Sequence, residues 1–181
     1  MRWRGADLDR LLDEGHAAIV GATARLLERL GWLVHSEVTF AVFGERGSID
    51  LVAFHAPTST LLIIEVKTEL VSVEETLRRH DVKARLGARV VAERFGWTPR
   101  AVARLLVLPD ASTPRRRVAR HDAVLGRAYP RRGIALRAWL RQPLGADGGL
   151  LFLAPSPSRQ VNGRPGPVTL KRVRRPVQPR G

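Results

Sequence analysis

The sequence predicts an α/β or α+β fold in three layers, with helices packed around a mixed sheet. Segments with apolar residues at every third or fourth position, typical of helices, alternate along the chain with short apolar runs that are typical of strands. The chain of 181 residues is also long enough for one domain with a proper hydrophobic core, and its hydrophobic fraction is an ordinary 44%.

The first predicted helix spans residues 8–30, where leucines recur at helical spacing and Gly31 ends the pattern. Asp7 is a candidate cap for its start. A strand is predicted at residues 33–43, and the glycine-flanked turn at 44–47 then reverses the chain.

The second half continues the alternation of helices and strands. Ser72 and Glu75 form a capping-box pattern, which predicts a helix from about residue 73 to residue 95. The pattern then predicts a strand at 101–108, an arginine-rich helix at 112–129, and strands near 134–140 and 150–153.

Composition changes at Pro155. Residues 155–181 hold six of the twelve prolines, seven basic residues and no acidic residue. Such a segment buries too little apolar surface to fold alone, so the sequence predicts a domain at 1–154 and a basic, disordered tail at 155–181. Two readings of the tail stay open, a segment that binds nucleic acid and a solvated extension.

The charge balance is strongly basic. Net charge is +14, and 28 of the 31 basic residues are arginine, which grips phosphates with two parallel hydrogen bonds. This favours nucleic acid as the partner, although high-GC coding also enriches arginine. With no apolar run near 18 residues, no secretion leader and no cysteine, we expect a cytoplasmic protein without a membrane span or a cysteine-type zinc site.

Two apolar strands at 48–54 and 61–67 are expected to form a β-hairpin, because the segment between them contains Pro57 and several hydroxyl residues. If the hairpin is centred between residues 57 and 58, Asp50 lies opposite Glu65. Lys67 is two residues beyond Glu65 and therefore shares its face of the sheet. Two carboxylates and an ammonium group then converge at one end of an apolar hairpin.

This cluster indicates metal chemistry. Two close carboxylates repel each other, and Mg²⁺ with oxygen ligands relieves the repulsion. Lys67 would then hold a metal-bound water or neutralise charge on a phosphate. The alternative is that Lys67 is only the salt-bridge partner of two carboxylates.

The segment Gly47-Ser-Ile-Asp50, followed after fourteen residues by Glu65-Val-Lys-Thr68, resembles the core motif of the PD-(D/E)XK nuclease superfamily. The resemblance is nearest to resolvase-like and restriction-endonuclease-like members and covers residues 8–110. Ile49 stands where the motif name has proline. The chain also looks like domains of high-GC bacteria that accompany helix-turn-helix regulators.

The resemblance implies a restriction-endonuclease-like three-layer α/β/α fold with a central mixed sheet. It implies that Asp50 and Glu65 bind Mg²⁺ or Mn²⁺, that the Val66 carbonyl is a third ligand, and that Lys67 is the catalytic lysine. His16 and Glu45 are accessory candidates, each with an ordinary structural alternative. Candidate phosphate contacts on the following helix, which could equally be a solvated face, are Arg78, Arg79, Lys83 and Arg85.

These observations lead to the hypothesis of a metal-dependent endonuclease, a hydrolase of phosphodiester bonds with DNA as the favoured substrate. The alternative is a catalytically inactive nucleic-acid-binding or regulatory module on the same fold. Cleavage of both strands of a duplex would favour a homodimer, and a separate helix-turn-helix protein is a candidate partner.

Overall fold

A computed structural model of the protein describes the backbone of residues 3–154 and the side chains from residue 10 onward. Strands and helices alternate in a mixed α/β fold, as predicted. The strands are β1 (Leu33–Val42), β2 (Glu45–His55), β3 (Thr60–Val66), β4 (Ala101–Pro109) and β5 (Gly149–Leu153). The helices are α1 (Trp3–Arg29), α2 (Val73–Phe95), α3 (Ser112–Arg120), α4 (Asp122–Ala128) and α5 (Gly133–Arg141). The tail predicted at 155–181 lies outside the described residues.

The five strands form one sheet in the order β1-β2-β3-β4-β5. β1, β2 and β3 pair antiparallel, whereas β3, β4 and β5 run parallel. The three parallel strands therefore end at the same edge of the sheet, which we call the carboxyl edge. β2 runs the other way and begins at this edge.

The predicted register of the β2–β3 hairpin is confirmed. Leu51 pairs with Ile64 and Val52 with Ile63, so Asp50 is the next residue toward the carboxyl edge. The chain reverses through a short 3₁₀ turn at 56–58.

Helices cover both faces of the sheet. On one face, α1 and α5 bury residues such as Ile19 and Leu136 against Leu62 and Ile64 of β3. On the other face, α2 packs on Leu61 and Ile63, while α3 and α4 pack on the ends of β4 and β5. None of the helices in the described part of the chain combines the length and the apolarity that a membrane crossing requires.

The prediction of a strand near 134–140 is wrong, because these residues form α5. Its buried residues Leu136, Trp139 and Leu140 are three and four positions apart, which is the spacing of one helical face. The helix predicted at 112–129 is two helices, since the chain leaves helical geometry at His121. Asp7 does not cap α1, which begins four residues earlier.

α2 has the predicted bounds and lies close against β3. Ser72 caps it, with Oγ accepting a hydrogen bond from the Glu75 backbone N–H at 3.2 Å. Gly87 makes the close approach possible, because a Cβ at this position would lie 2.5 Å from Cδ1 of the fully buried Ile63.

We predict that Gly87→Ala destabilises the protein by about 1–3 kcal/mol, since the added methyl group overpacks the α2–β3 contact. Gly21→Ala in α1 is the matched control. The nearest side chain there is the exposed Arg25, which can move aside. Gly21→Ala should therefore stabilise the protein by ~0.5–1 kcal/mol, since alanine has the higher helix propensity. Urea denaturation of both variants measures the difference, and equal stabilisation by both changes would contradict the close contact.

Candidate active site

Asp50, Glu65 and Lys67 lie together at the carboxyl edge of the β2–β3 hairpin. Asp50 Oδ2 accepts a hydrogen bond from the Val66 backbone N–H at 2.7 Å. Lys67 Nζ lies 2.8 Å from Glu65 Oε1. The predicted register and the two-residue period of the strand thus bring all three side chains to one place.

A second lysine completes this group. Lys83 projects from α2, and its ammonium group contacts Glu65 Oε2 and lies 3.9 Å from Asp50 Oδ1. Only 12% of the Lys83 side chain is exposed. The sequence predicts Lys83 as a candidate phosphate contact, with a solvated helix face as the alternative, whereas the structure places its ammonium group between the two carboxylates. We call Asp50, Glu65, Lys67 and Lys83 the edge cluster.

The two carboxylates of the edge cluster differ in their electrostatics. Burial alone would raise the pKa of Glu65, whose side chain is only 1% exposed, but Lys83 and Lys67 outweigh burial and hold that pKa below its ordinary value. Burial, and then the negative charge of Glu65, raise the pKa of Asp50. Glu65 is therefore fully matched by cations, and Asp50 is the carboxylate that gains most from an added positive charge.

The edge cluster borders a cavity of about 410 Å³. Lys67, with 34% of its side chain exposed, stands at the opening. Backbone and side chains from the start of β2 form one wall and α2 forms the other, so a ligand can approach Asp50 from solvent. Other residues at this cavity are Phe40, Glu45, Arg46, Arg78 and Arg79.

The predicted phosphate contacts of α2 are already paired with acids. Arg78 and Arg79 both bind the carboxylate of Glu75, one turn earlier in the same helix. Arg85 binds Glu45 of β2 at 2.7 Å, which also accounts for the accessory candidate Glu45. Because exposed ion pairs contribute less than about 1 kcal/mol, a phosphate can displace such partners at small cost.

The other accessory candidate, His16, lies on α1, which approaches the end of β3 from the opposite face of the sheet. A Cβ on the neighbouring Gly15 would be 3.8 Å from Thr68 Cγ2. His16 is half-buried, and its positive form is one of the smaller influences that lower the pKa of Asp50. It acts on Asp50 through space.

The donor set limits which metal the edge cluster can hold. Within the described residues, no group of three or more histidine, aspartate or glutamate side chains is arranged to share a metal ion. Among the described residues, Asp50 and Glu65 are therefore joined by no third carboxylate or histidine that could share a metal ion with them. Mg²⁺ is commonly held by one or two carboxylates, with waters and substrate oxygens completing its shell, so the set fits Mg²⁺ better than an ion that needs a full protein cage.

No partner for His80 can be named from the sequence alone. The structure places it in a buried network behind the edge cluster. Its Nε2 donates to the Ile63 carbonyl at 3.0 Å, and its Nδ1 accepts from the Tyr129 hydroxyl at 2.7 Å. Burial lowers the pKa of His80 to about 4, so the ring is neutral. The network joins α2 to β3 and to the end of α4.

Comparison with protein-family models finds no match for this chain, and comparison with curated proteins likewise finds none. Functional interpretation therefore depends on the geometry of the edge cluster.

We predict that Lys83→Met destabilises the fold by about 1–3 kcal/mol, because it leaves Glu65 and Asp50 with one counter-charge fewer in a mostly buried site. Arg85→Met is the matched control, since it removes an exposed ion pair of the same helix and should cost less than about 1 kcal/mol. Denaturant titration of the two variants at pH 7 gives the comparison. A smaller loss for Lys83→Met than for Arg85→Met would show that the buried pairing is not as described.

We predict that the free energy of unfolding falls by about 3 kcal/mol between pH 6.5 and pH 4 through His80. In this window the unfolded protein takes up a proton on His80 and the folded protein does not. His80→Gln removes this pH dependence of the free energy of unfolding. It keeps the smaller dependence that comes from His55, because burial also lowers the pKa of His55. Unfolding measured at intervals across this range gives both slopes, and parallel curves for the two proteins would refute the neutral buried ring.

Proposed function

We propose that this protein is a nuclease of the PD-(D/E)XK type, a Mg²⁺-dependent hydrolase of phosphodiester bonds, with DNA as its substrate class. The observation that carries the proposal is the placement of Asp50 next to Glu65 on adjacent strands, with Lys67 beside them at an open cavity. A mixed five-stranded sheet with helices on both faces is compatible with the restriction-endonuclease-like fold that the motif implies.

Asp50 and Glu65 would hold the metal ion, and the motif assigns a third ligand to the Val66 carbonyl. Mg²⁺ held there would supply Lewis acidity, which would polarise the scissile phosphate and lower the pKa of a bound water. Asp50 is suited to this role because its pKa is raised by burial and by Glu65, so a cation relieves an existing repulsion. The Val66 N–H fixes Oδ2 and leaves Oδ1 on the side of Lys83.

Lys67 is suited to stabilise the negative charge that develops on the phosphate during hydrolysis. Its ammonium group is held by Glu65 and is partly open to solvent at the cavity mouth. A fixed cation aimed at developing charge costs no rearrangement at the moment of reaction. Arg78, Arg79 and Arg46 line the same cavity. In this proposal they would hold the flanking phosphates.

One observation favours the second candidate, a nucleic-acid-binding module without turnover. Both oxygens of Glu65 accept from lysines, so the two carboxylates of the edge cluster are already balanced by two ammonium groups. A cluster that is neutral by itself does not require a metal ion for stability. Cleavage assays separate the two candidates.

We predict metal-dependent cleavage of labelled DNA by the wild-type protein in Mg²⁺ or Mn²⁺, and none in EDTA. Asp50→Asn should reduce the rate below detection, and Lys67→Ala should reduce it by about 10²–10³-fold. Asp81→Asn is the matched control, because Asp81 is an exposed aspartate of α2 paired with Arg104, and it should cleave at the wild-type rate. Linear duplex, single-stranded and branched substrates, with an RNA of the same sequence, identify the substrate class.

Full activity of Asp50→Asn would contradict the site. If the wild-type protein cleaves none of these substrates in either metal yet binds them, the second candidate replaces the first. Circular dichroism and thermal unfolding of each variant establish that lost activity is not lost structure.

A further inference from the structure

Positive charge is concentrated in one part of the fold. Residues 110–147 hold nine arginines and three aspartates, with no lysine and no glutamate. Residues 1–109 hold 15 basic and 14 acidic residues and are almost balanced. Outside the tail, nearly all of the net charge therefore belongs to the segment that forms α3, α4 and α5.

Most of these arginines are exposed, and several have no counter-ion within residues 10–154. The three aspartates pair with one arginine each, namely Asp110 with Arg115, Asp122 with Arg132 and Asp147 with Arg131. Six exposed arginines have no acidic partner among the described residues, and two of them, Arg117 and Arg141, donate instead to backbone carbonyls. We call the other four the free arginines: Arg116, Arg120, Arg127 and Arg137. This differs from α2, where Arg78, Arg79 and Arg85 are all paired.

A cavity of about 560 Å³ lies between these helices and the end of β5. Arg115, Arg132 and the free Arg137 line it together with two aspartates. The guanidinium of Arg115 stacks over Phe152 at 4.4 Å, which fixes its plane. Arg132 has one buried nitrogen, Nη2, without a hydrogen-bond partner in the described part of the chain, so Asp122 does not satisfy this side chain fully.

The arginines that line this cavity lie at the carboxyl edge, as does the edge cluster, because Asp110 and Phe152 from the ends of β4 and β5 line the same cavity. α3 follows the end of β4, just as Lys67 follows the end of β3. A further cavity of about 430 Å³ lies between them, lined by residues 68–71 and by Arg117 of α3. Arg117 connects α3 to the segment that follows β3, because its guanidinium donates a hydrogen bond to the Val71 carbonyl. A chain of phosphates can therefore follow this edge from α3 to Asp50.

We propose that α3, α4 and α5 form a binding surface for the sugar–phosphate backbone of a nucleic acid and lead the strand along the carboxyl edge. The guidance to Asp50 rests on the proposed nuclease function, whereas binding by the surface does not. Arginine forks match phosphate oxygens in pairs. Because such contacts do not read base edges, the surface would bind many sequences with similar affinity.

An anionic membrane is the main alternative ligand for a basic surface. Val124 of α4 and Ile134 of α5 are exposed apolar residues in this region. They are single residues on different helices, whereas a helix that binds membranes presents a continuous apolar face. The apolar residues of α3, Pro114 and Val118, are buried, and its outer face is arginine. Nucleic acid fits this arrangement better.

The test compares two triple variants of the full chain. Arg116→Ala with Arg120→Ala and Arg137→Ala removes three free arginines from the surface. Arg25→Ala with Arg29→Ala and Arg100→Ala removes three exposed arginines that have no acidic partner among the described side chains. They lie in α1 and in the segment before β4, toward the opposite edge. Both variants keep the tail and the edge cluster, and both have the same net charge.

Binding of a fluorescent 30-base-pair DNA duplex is measured between 50 and 200 mM salt. We expect the surface variant to bind at least tenfold more weakly at 150 mM, with the slope of log affinity against log salt reduced by about 2–3. The control variant should change affinity less than threefold. Equal losses in both variants, or none in the surface variant, would overturn the proposal.

Two further measurements separate the possible failures. Vesicles of phosphatidylserine and phosphatidylcholine are titrated in parallel, and a surface variant that loses vesicle binding while DNA binding is unchanged would overturn the nucleic-acid assignment. Cleavage of the same duplex by the wild-type protein is measured in Mg²⁺. A wild-type protein that binds through the surface but cleaves nothing would leave this inference standing and remove the nuclease.

Discussion

The antiparallel register of β2 and β3 is the constraint on which the rest of the site depends. It sets Asp50 beside Glu65, and the Val66 N–H then holds Asp50 in place. Two buried carboxylates this close are unfavourable alone, so the fold must supply cations. Lys67 comes from the same strand and Lys83 from α2. A slip of β2 by one residue in this register would turn Asp50 to the other face of the sheet, away from Glu65 and from both lysines.

The position of α2 couples the site to the core. One helical face carries His80, Lys83 and Gly87, which lie three and four residues apart. His80 bonds to β3, Gly87 lets the helix approach closely, and Lys83 between them reaches Glu65. Packing therefore delivers the second counter-charge, and a change that moves α2 should alter the site without touching a carboxylate.

Local patterns were enough to predict the hairpin, its register and the limits of α2, because strand period, turn residues and caps are properties of neighbouring residues. Lys67 followed from the two-residue period. The contact of Lys83 with the two carboxylates could not be predicted from local patterns. It depends on how α2 docks on β3, and Glu65 lies eighteen residues earlier in the chain. The His80–Tyr129 bond spans 49 residues and leaves no local signal. α5 was misassigned because a short apolar segment suits a strand and a helix equally.

Titration with Mn²⁺, followed by electron paramagnetic resonance, measures whether the edge cluster binds a divalent metal ion. We expect one site in the wild-type protein, displaced by excess Mg²⁺ and lost in Glu65→Gln, whose side chain keeps the shape but not the charge. The edge cluster must then exchange part of its lysine pairing for the metal. Equal Mn²⁺ binding by Glu65→Gln and the wild type, or none by a folded wild-type protein at millimolar Mn²⁺, would contradict this expectation.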